Sequence, residues 1–188
     1  MTGTPTEVIA FAGRRVDPDD AEEPRFPQRA EPAVAHRLRE LFRQIGAGSI
    51  VASAACGSDI LALEIAAELG MQRRVVLPFD RPTFRETSVT DRPGDWAPRY
   101  DAVLDSLGPD DIIVLRLAKG AGAYERTTNA ILDLAVDLAG RPAAARAVIA
   151  WNGAPRGDGD ITAQFADRAR GRGMNVTEID TLSADLSD

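Results

Sequence analysis

The sequence predicts an α/β protein with a three-layer Rossmann-like fold, in which a mostly parallel sheet of about six strands carries helices on both faces. Short β-branched runs alternate with longer segments of helical period, which is typical of βαβ units. The 188 residues contain no internal repeat and no low-complexity block. We therefore expect a single domain over residues 1–180, followed by a flexible C-terminal tail over residues 181–188.

Six runs have the length and composition of strands. The first is short and apolar, and the loops that follow the first, second and fifth runs contain glycine. The strands are expected at residues 7–11, 49–52, 74–77, 111–117, 147–150 and 175–179.

The helices are predicted from apolar side chains that recur at helical spacing. The stripe of the first helix includes Val34, Leu38 and Ile45, whereas the second helix is apolar around most of its circumference and should lie inside the protein. A proline-containing segment, residues 78–96, is expected to lack long regular structure. The helices are expected at residues 32–45, 60–69, around 100–107, around 131–139 and at 161–170.

Composition excludes several classes of protein. The formal net charge is −7 and Lys119 is the single lysine, which argues against binding to duplex nucleic acid, because such binding depends on clustered positive charge. No apolar stretch approaches the length of a membrane span. The single cysteine, Cys56, cannot form an internal disulfide, and no secretory signal is evident, so a cytoplasmic location is expected.

Candidate binding residues begin after the first strand. Ligands of open parallel sheets bind beyond the carboxyl ends of the strands. Gly13 would let a ligand approach the backbone there, and Arg14 and Arg15 would supply forked, charged donors for a phosphate. Alternatively, Gly13 only makes a turn, and the arginines pair with the acidic residues 17–23.

The loop after the second strand leads into a buried helix, whose unpaired N–H groups favour an anion. We expect Asp59 to cap this helix, so that a phosphate would lie toward Ser53, Ala54 and Gly57. Two alternatives stay open: Ser58 or Asp59 makes an ordinary cap without a ligand, or Asp59 binds a ribose hydroxyl.

Cys56 lies at the same helix start, where a thiol pKa can fall and create a nucleophile. The alternative is a small buried thiol. The only histidine, His36, falls away from the apolar stripe of the first helix and is no partner for it. No set of residues has the spacing of metal ligands, so no metal site is expected.

Further candidates come from the second half of the chain. Trp151 could stack on a base or merely cover the edge of the sheet. Tyr124, Arg126 and Asn129 gather at the first turn of the fourth helix, where Arg126 and Asn129 share a face; the alternative is an ordinary solvated helix start. The loop after the fifth strand adds Asn152, Gly153, Gly157, Gly159 and the helix-start residue Thr162.

These loops occur in an order that resembles the SLOG superfamily, which includes Smf/DprA, the Lonely Guy enzymes and the YpsA-like proteins. The motifs that carry the resemblance are FAGRR, SAACGSDILALEIA, LPFDRPTF, YERTTN, VIAWNG, ITA and RARGRG. The resemblance implies a nucleotide site built by the loop after the second strand and by a Gly-Gly-Thr helix start after the fifth. Thr162 and Ala163 match that start, but Asp160 and Ile161 stand in place of the glycines, which should narrow and acidify the site.

Within the superfamily, the chain is most similar to the YpsA-like branch. Lonely Guy enzymes use an arginine and a glutamate in a PGGxGTxxE motif, and residues 162–165 contain no equivalent glutamate. The expected function is therefore binding or sensing of a small phosphorylated ligand, a nucleotide or a nucleotide derivative such as an ADP-ribose-like compound. The sequence identifies no cofactor beyond such a ligand, and superfamily relatives lead us to expect a homodimer.

Two alternative functions remain. The protein could be an enzyme that cleaves or transfers the N-glycosidic bond of a nucleotide, with Asp59, Asp80 or Asp160 stabilising positive charge on the ribose. It could also be a structural or interaction module that binds no small ligand.

Overall fold

A computed structural model describes residues 7–185 of the chain. Six strands form one parallel sheet with the order β4–β3–β2–β1–β5–β6. This architecture confirms the predicted three-layer Rossmann-like class. The strands are β1 (Glu7–Gly13), β2 (Ala47–Ala52), β3 (Gln72–Leu77), β4 (Ile112–Val114), β5 (Ala145–Trp151) and β6 (Asn175–Asp180).

The helices cover both faces of the sheet. Helices α1, α2 and α4 pack together on one face, and α5 and α6 pack on the other. Alternate side chains of β1 serve the two layers: Ile9 and Phe11 enter the first core, and Val8 and Ala10 enter the second. The helices are α1 (Glu31–Gln44), α2 (Ser58–Glu68), α3 (Arg81–Ser88), α4 (Trp96–Asp105), α5 (Ala121–Ala139) and α6 (Ile161–Gly171).

Helix α3 lies within residues 78–96, which were predicted to form a loop without long regular structure. Pro82 lies in the first turn, where a helix has no use for the missing N–H. The Asp80 side chain caps the helix, since its Oδ1 accepts a hydrogen bond from the Thr83 amide at 2.9 Å. Pro82 therefore lies at the start of a helix, whereas the prolines of this segment were taken as evidence against regular structure.

Strand β4 is shorter than predicted, at Ile112–Val114 instead of residues 111–117. Arg116 has a φ of 54°, which is left-handed and incompatible with an extended strand. The Leu115 amide still donates to the Leu77 carbonyl at 2.9 Å, so the chain stays beside β3 after the regular strand ends.

The start of the predicted C-terminal tail makes contacts with the rest of the protein. Thr181 is fully buried, and its hydroxyl donates to the Arg25 carbonyl at 2.5 Å. Residues 186–188 of that tail lie outside the described residues. Within residues 7–185, no helix is both long and apolar enough to cross a membrane.

The strand order reverses between β1 and β5, because the chain builds outward from β1 to β4 on one side and then crosses to β5 on the other. The loops that leave the carboxyl ends of β1 and β5 therefore diverge to opposite faces. In open α/β sheets this divergence creates a crevice, which is the usual place for a ligand.

Candidate functional site

A cavity of about 530 Å³ lies at the carboxyl ends of β1, β2 and β5, next to the point where the strand order reverses. Its volume falls within the range of small-molecule sites, roughly 300–1,000 Å³. We call it the central cavity. It is lined by residues 11–15 and 156–162, together with Ser53, Ala55, Asp59, Phe84, Thr87, Ser88, Tyr124, Thr127, Thr128, Ile131 and Phe165.

The lining contains hydroxyl groups whose hydrogen-bonding capacity is unused. The Ser53 Oγ is buried and has no hydrogen-bond partner among the described residues. Thr128 and Thr162 are 5% and 8% exposed, and neither side chain hydrogen-bonds to a described residue. With Asp59 and the buried rings of Phe11 and Phe165, these three residues form what we call the inner part of the cavity.

Asp59 carries the carboxyl group of the inner part. Its Oδ2 accepts a hydrogen bond from the Ala55 amide at 3.2 Å. Burial raises the pKa of this carboxyl to about 7, although the Ala55 amide, the Arg15 guanidinium and the Gly13 amide act in the opposite direction. At neutral pH the group therefore exists as both acid and carboxylate, and the acid form can donate a hydrogen bond.

The expectation that Asp59 caps α2 is wrong. Gly57 occupies the N-cap position, and no side chain caps the helix. Instead, the Ser58 amide and hydroxyl both donate to the Arg14 carbonyl, at 3.2 and 2.5 Å. The loop after β1 thus supplies an acceptor at the start of α2, in the direction from which an anion would approach.

Gly13 and Gly57 permit close packing between loops. Gly57 has a φ of 95°, and a Cβ there would lie 2.6 Å from the Val16 nitrogen. A Cβ on Gly13 would lie 2.6 Å from the Ser58 Cβ. Gly13 lines the cavity, whereas the space beside Gly57 is filled by the backbone of the first loop.

Arg14 is buried and all its hydrogen bonds in the structure are internal. Its Nη1 lies 2.8 and 2.7 Å from the two carboxylate oxygens of Asp160. Its Nε donates to the Asn152 side chain at 3.0 Å, and its Nη2 donates to the Ala154 carbonyl at 2.7 Å. The guanidinium therefore holds the loop after β5 against β1.

Asp160 caps α6 from within this ion pair. Its Oδ1 accepts from the amides of Thr162 and Ala163 at 2.9 and 3.3 Å, and its Oδ2 accepts from the Arg156 amide at 2.7 Å. Burial raises the pKa of the Asp160 carboxyl, but the Arg156 amide and Arg14 outweigh burial and hold it below its usual value. The sequence led us to expect an aspartate that acidifies the site, and its carboxylate is neutralised by Arg14.

The outer edge of the cavity is the exposed loop of residues 156–159, which we call the rim. The Arg156 guanidinium makes no hydrogen bond or ion pair with a described residue. Burial and the nearby charge of Arg14 lower its pKa. Across the cavity, Arg15 donates to both carboxylate oxygens of Asp91 at 2.8 and 2.9 Å.

Several predicted ligand residues lie outside the cavity lining. Cys56 is fully buried, and burial raises the pKa of its thiol to about 12, which leaves it an inert core residue. Ala54 is fully buried as well. Trp151 donates from its indole to Glu178 at 3.0 Å and lies 5.6 Å from the Arg14 guanidinium, so it covers that side chain at the sheet edge.

The residues predicted on α5 also point away from the cavity. The Asn129 side-chain oxygen accepts hydrogen bonds from Arg168 and Arg172 at 3.0 and 3.1 Å, which ties α5 to α6. Arg126 and Gly153 are exposed and do not line the cavity.

Of the three aspartates proposed for catalysis, Asp80 lies elsewhere. It lines a separate depression of about 540 Å³ beside Arg116 and Lys119, at the ends of β3 and β4. Its capping bonds to Thr83 lower its pKa. In the described part of the chain, no group of three or more His, Cys, Asp or Glu residues is arranged to hold a metal ion.

The sequence interpretation missed the contributions of α3 and α5 to the cavity. The motif YERTTN was noticed, but Arg126 and Asn129 were selected from it as binding residues, whereas Tyr124, Thr127 and Thr128 line the cavity. Tyr124, Thr127, Thr128 and Ile131 recur at helical spacing, which marks one face. That face was recognisable from the sequence, but its position above the sheet was not.

Comparisons with known proteins give a structural likeness. No family model matches the chain, and no curated protein matches it. The chain is similar to the X-ray structure of DNA processing protein A (DprA) from Streptococcus pneumoniae, with 16% identity and a TM-score of 0.48. The match covers 97% of this chain and 53% of that chain, so the chain spans about half the length of this structure.

Proposed function

We propose that this protein binds a nucleotide or nucleotide derivative in the central cavity and acts as a sensor of that ligand. We further propose that it is a cytoplasmic member of the SLOG superfamily, closest to the YpsA-like branch, and that it forms a homodimer. The resemblance of its loop motifs supports the superfamily and the branch.

One observation carries the ligand proposal: the unused hydroxyls of Ser53, Thr128 and Thr162 gather in a single cavity of ligand size. The Ser53 hydroxyl lacks the partner that a buried polar group normally has, and a missing partner costs free energy. The Thr128 and Thr162 hydroxyls are accessible from the cavity and are not engaged by the described residues. A ligand with several hydroxyl, amine or carbonyl groups would supply these partners. The sugar and base of a nucleotide offer such groups around a flat ring that suits the apolar lining.

Titration calorimetry of the folded protein with AMP, ADP-ribose, NAD and cyclic AMP tests the proposal. We expect Thr128→Val to weaken binding of the active compound about tenfold, the cost of roughly one hydrogen bond. Thr127→Val is the matched control, because Thr127 also lines the cavity but its hydroxyl already donates to the Ala123 carbonyl at 2.8 Å. Heat from none of the four compounds would contradict the proposal.

Asp59 favours a second candidate function, cleavage or transfer of the N-glycosidic bond of a nucleotide. It lines the cavity with a pKa near 7 and is not part of an ion pair, whereas Asp160 is held by Arg14. As a carboxylate it would stabilise positive charge that develops on a ribose. Chromatography of long incubations should then show free base, Asp59→Asn should abolish it, and Asp80→Asn should not. Cleavage that survives Asp59→Asn would exclude this mechanism.

The interaction-only alternative has no comparable support. Among residues 7–185, the large hydrophobic side chains that are exposed are Leu138 and Leu182. They lie on α5 and after β6, and two separated side chains do not form an apolar patch of the size used for protein binding.

A further inference from the structure

We infer that the central cavity holds the uncharged, nucleoside end of its ligand in the inner part and leaves the phosphate at the rim, on Arg156. This inference rests on the proposed function and adds the orientation of the ligand. It reverses the arrangement that the glycine-rich loops of the sequence suggest, in which helix starts bind the phosphate.

Groups of the chain itself cover both helix starts that face the cavity. At α2, the Arg14 carbonyl accepts from the Ser58 amide at 3.2 Å, and the backbone of the first loop fills the space beside Gly57. At α6, the Asp160 carboxylate accepts from the Thr162 and Ala163 amides. Amides of a helix start bind a phosphate only when they are free to donate to it. A phosphate would have to displace a buried carboxylate at α6.

The charges around the inner part also argue against a phosphate there. Of the two arginines of the first loop that line the cavity, Arg14 is neutralised by Asp160 and Arg15 is paired with Asp91. A phosphate would therefore meet the carboxyl of Asp59 without an unpaired cation to offset its loss of hydration, which is a large cost for an unpaired charge. The three hydroxyls and the rings of Phe11 and Phe165 match a neutral, hydrogen-bonding ring instead.

The rim carries an arginine without an ion-pair partner, which the inner part does not. Arg156 is exposed at the edge of the cavity and has no anionic partner in contact with its guanidinium. Burial and the charges of Arg14 and Arg25 disfavour its charged form, whereas the Asp160 carboxylate favours it. An anion bound beside Arg156 would favour the charged form further. The exposed Gly157 and Gly159 leave space for it, because a Cβ on either would meet nothing within 4 Å.

The test compares each nucleoside with its own 5′-monophosphate, for adenine, guanine, cytosine and uracil, by titration calorimetry. For the pair that binds, we expect the nucleoside to bind and the monophosphate to bind about ten- to a hundredfold more tightly, as one charge-assisted hydrogen bond provides. Arg156→Ala should remove this difference and leave nucleoside affinity within about twofold. Arg141→Ala, an exposed arginine before β5 at the opposite edge of the sheet, is the charge-matched control and should change neither.

Two results would overturn the inference. If a monophosphate binds but its nucleoside does not compete for the site, or if Arg156→Ala leaves the monophosphate affinity unchanged, the phosphate lies elsewhere although the proposed function survives. If no nucleoside and no nucleotide binds to any of the folded proteins, the proposed function itself fails. Circular dichroism of each variant establishes that it is folded.

Discussion

The guanidinium of Arg14 and the carboxylate of Asp160 form a buried ion pair that joins two loops 146 residues apart in the chain. Both side chains are 2% exposed. The pair bridges β1 and the loop after β5, across the place where the strand order reverses. This contact fixes one wall of the cavity, and the same Asp160 carboxylate accepts the first amides of α6.

Removing one partner of this ion pair should lower the free energy of unfolding. Arg14→Met leaves the Asp160 carboxylate buried without its partner, and we expect the free energy of unfolding to fall by about 3–5 kcal/mol. The double variant Arg14→Met/Asp160→Asn removes both charges, and Asn can still cap α6, so it should be more stable than the single variant. Urea denaturation measures all three proteins. A loss below about 1 kcal/mol in Arg14→Met would show that the pair contributes little.

Asp59 should make the stability of the protein depend on pH. Its pKa is about 7 in the folded protein and near 3.8 when unfolded, so the folded state binds more protons between these values. The free energy of unfolding contributed by this group therefore falls as pH rises from about 4 to about 7 and is constant above that window. Asp59→Asn should remove the loss, and at pH 8 should be more stable than the wild type by roughly 4 kcal/mol at most.

Denaturation at pH 5, 6, 7 and 8 measures this effect as the difference between variant and wild type. Asp158→Asn, which changes an exposed carboxylate on the rim, is the control and should follow the wild-type profile. A difference that stays constant from pH 5 to pH 8 for Asp59→Asn would contradict the raised pKa.

Gly57 should tolerate no side chain. Gly57→Ala places a Cβ 2.6 Å from the Val16 nitrogen, at a φ that L residues rarely adopt. We expect a loss of about 2 kcal/mol or more in the free energy of unfolding. Gly159→Ala serves as the control, because its Cβ would meet nothing within 4 Å, and its stability should stay within about 0.5 kcal/mol. Equal stability of the two variants in urea denaturation would refute the close packing.

Cys56 should be unreactive in the folded protein. Its side chain is fully buried and its pKa is about 12, so almost no thiolate is available at pH 8. Mass spectrometry after iodoacetamide treatment should show no adduct in native buffer and complete alkylation in denaturant. Rapid alkylation of the native protein would restore the cysteine as a candidate nucleophile.

Local periodicity was enough to locate most elements of the fold. The strands and helices α1, α2 and α6 overlap their predicted positions, because apolar side chains repeat with the period of the element that buries them. Helix α5 begins at Ala121, well before the predicted residues 131–139, because its first turns carry polar residues and no apolar stripe. The errors occurred at residues whose type is compatible with more than one local backbone conformation. Pro82 starts α3 instead of preventing it, and Arg116 ends β4 through a left-handed φ that the sequence does not reveal.

The sequence by itself determined the fold class and the sheet edge where the candidate site lies, because hydrophobic spacing and glycine positions are properties of neighbouring residues. Only the tertiary structure decided which groups are free to bind a ligand. Arg14 and Gly57 have the residue types of a phosphate site, but Asp160 takes up the charge of Arg14 and the backbone of the first loop fills the space beside Gly57. Thr128 and Ser53 are unremarkable in sequence and remain unpartnered, since only packing determines whether a polar group is left without a hydrogen bond.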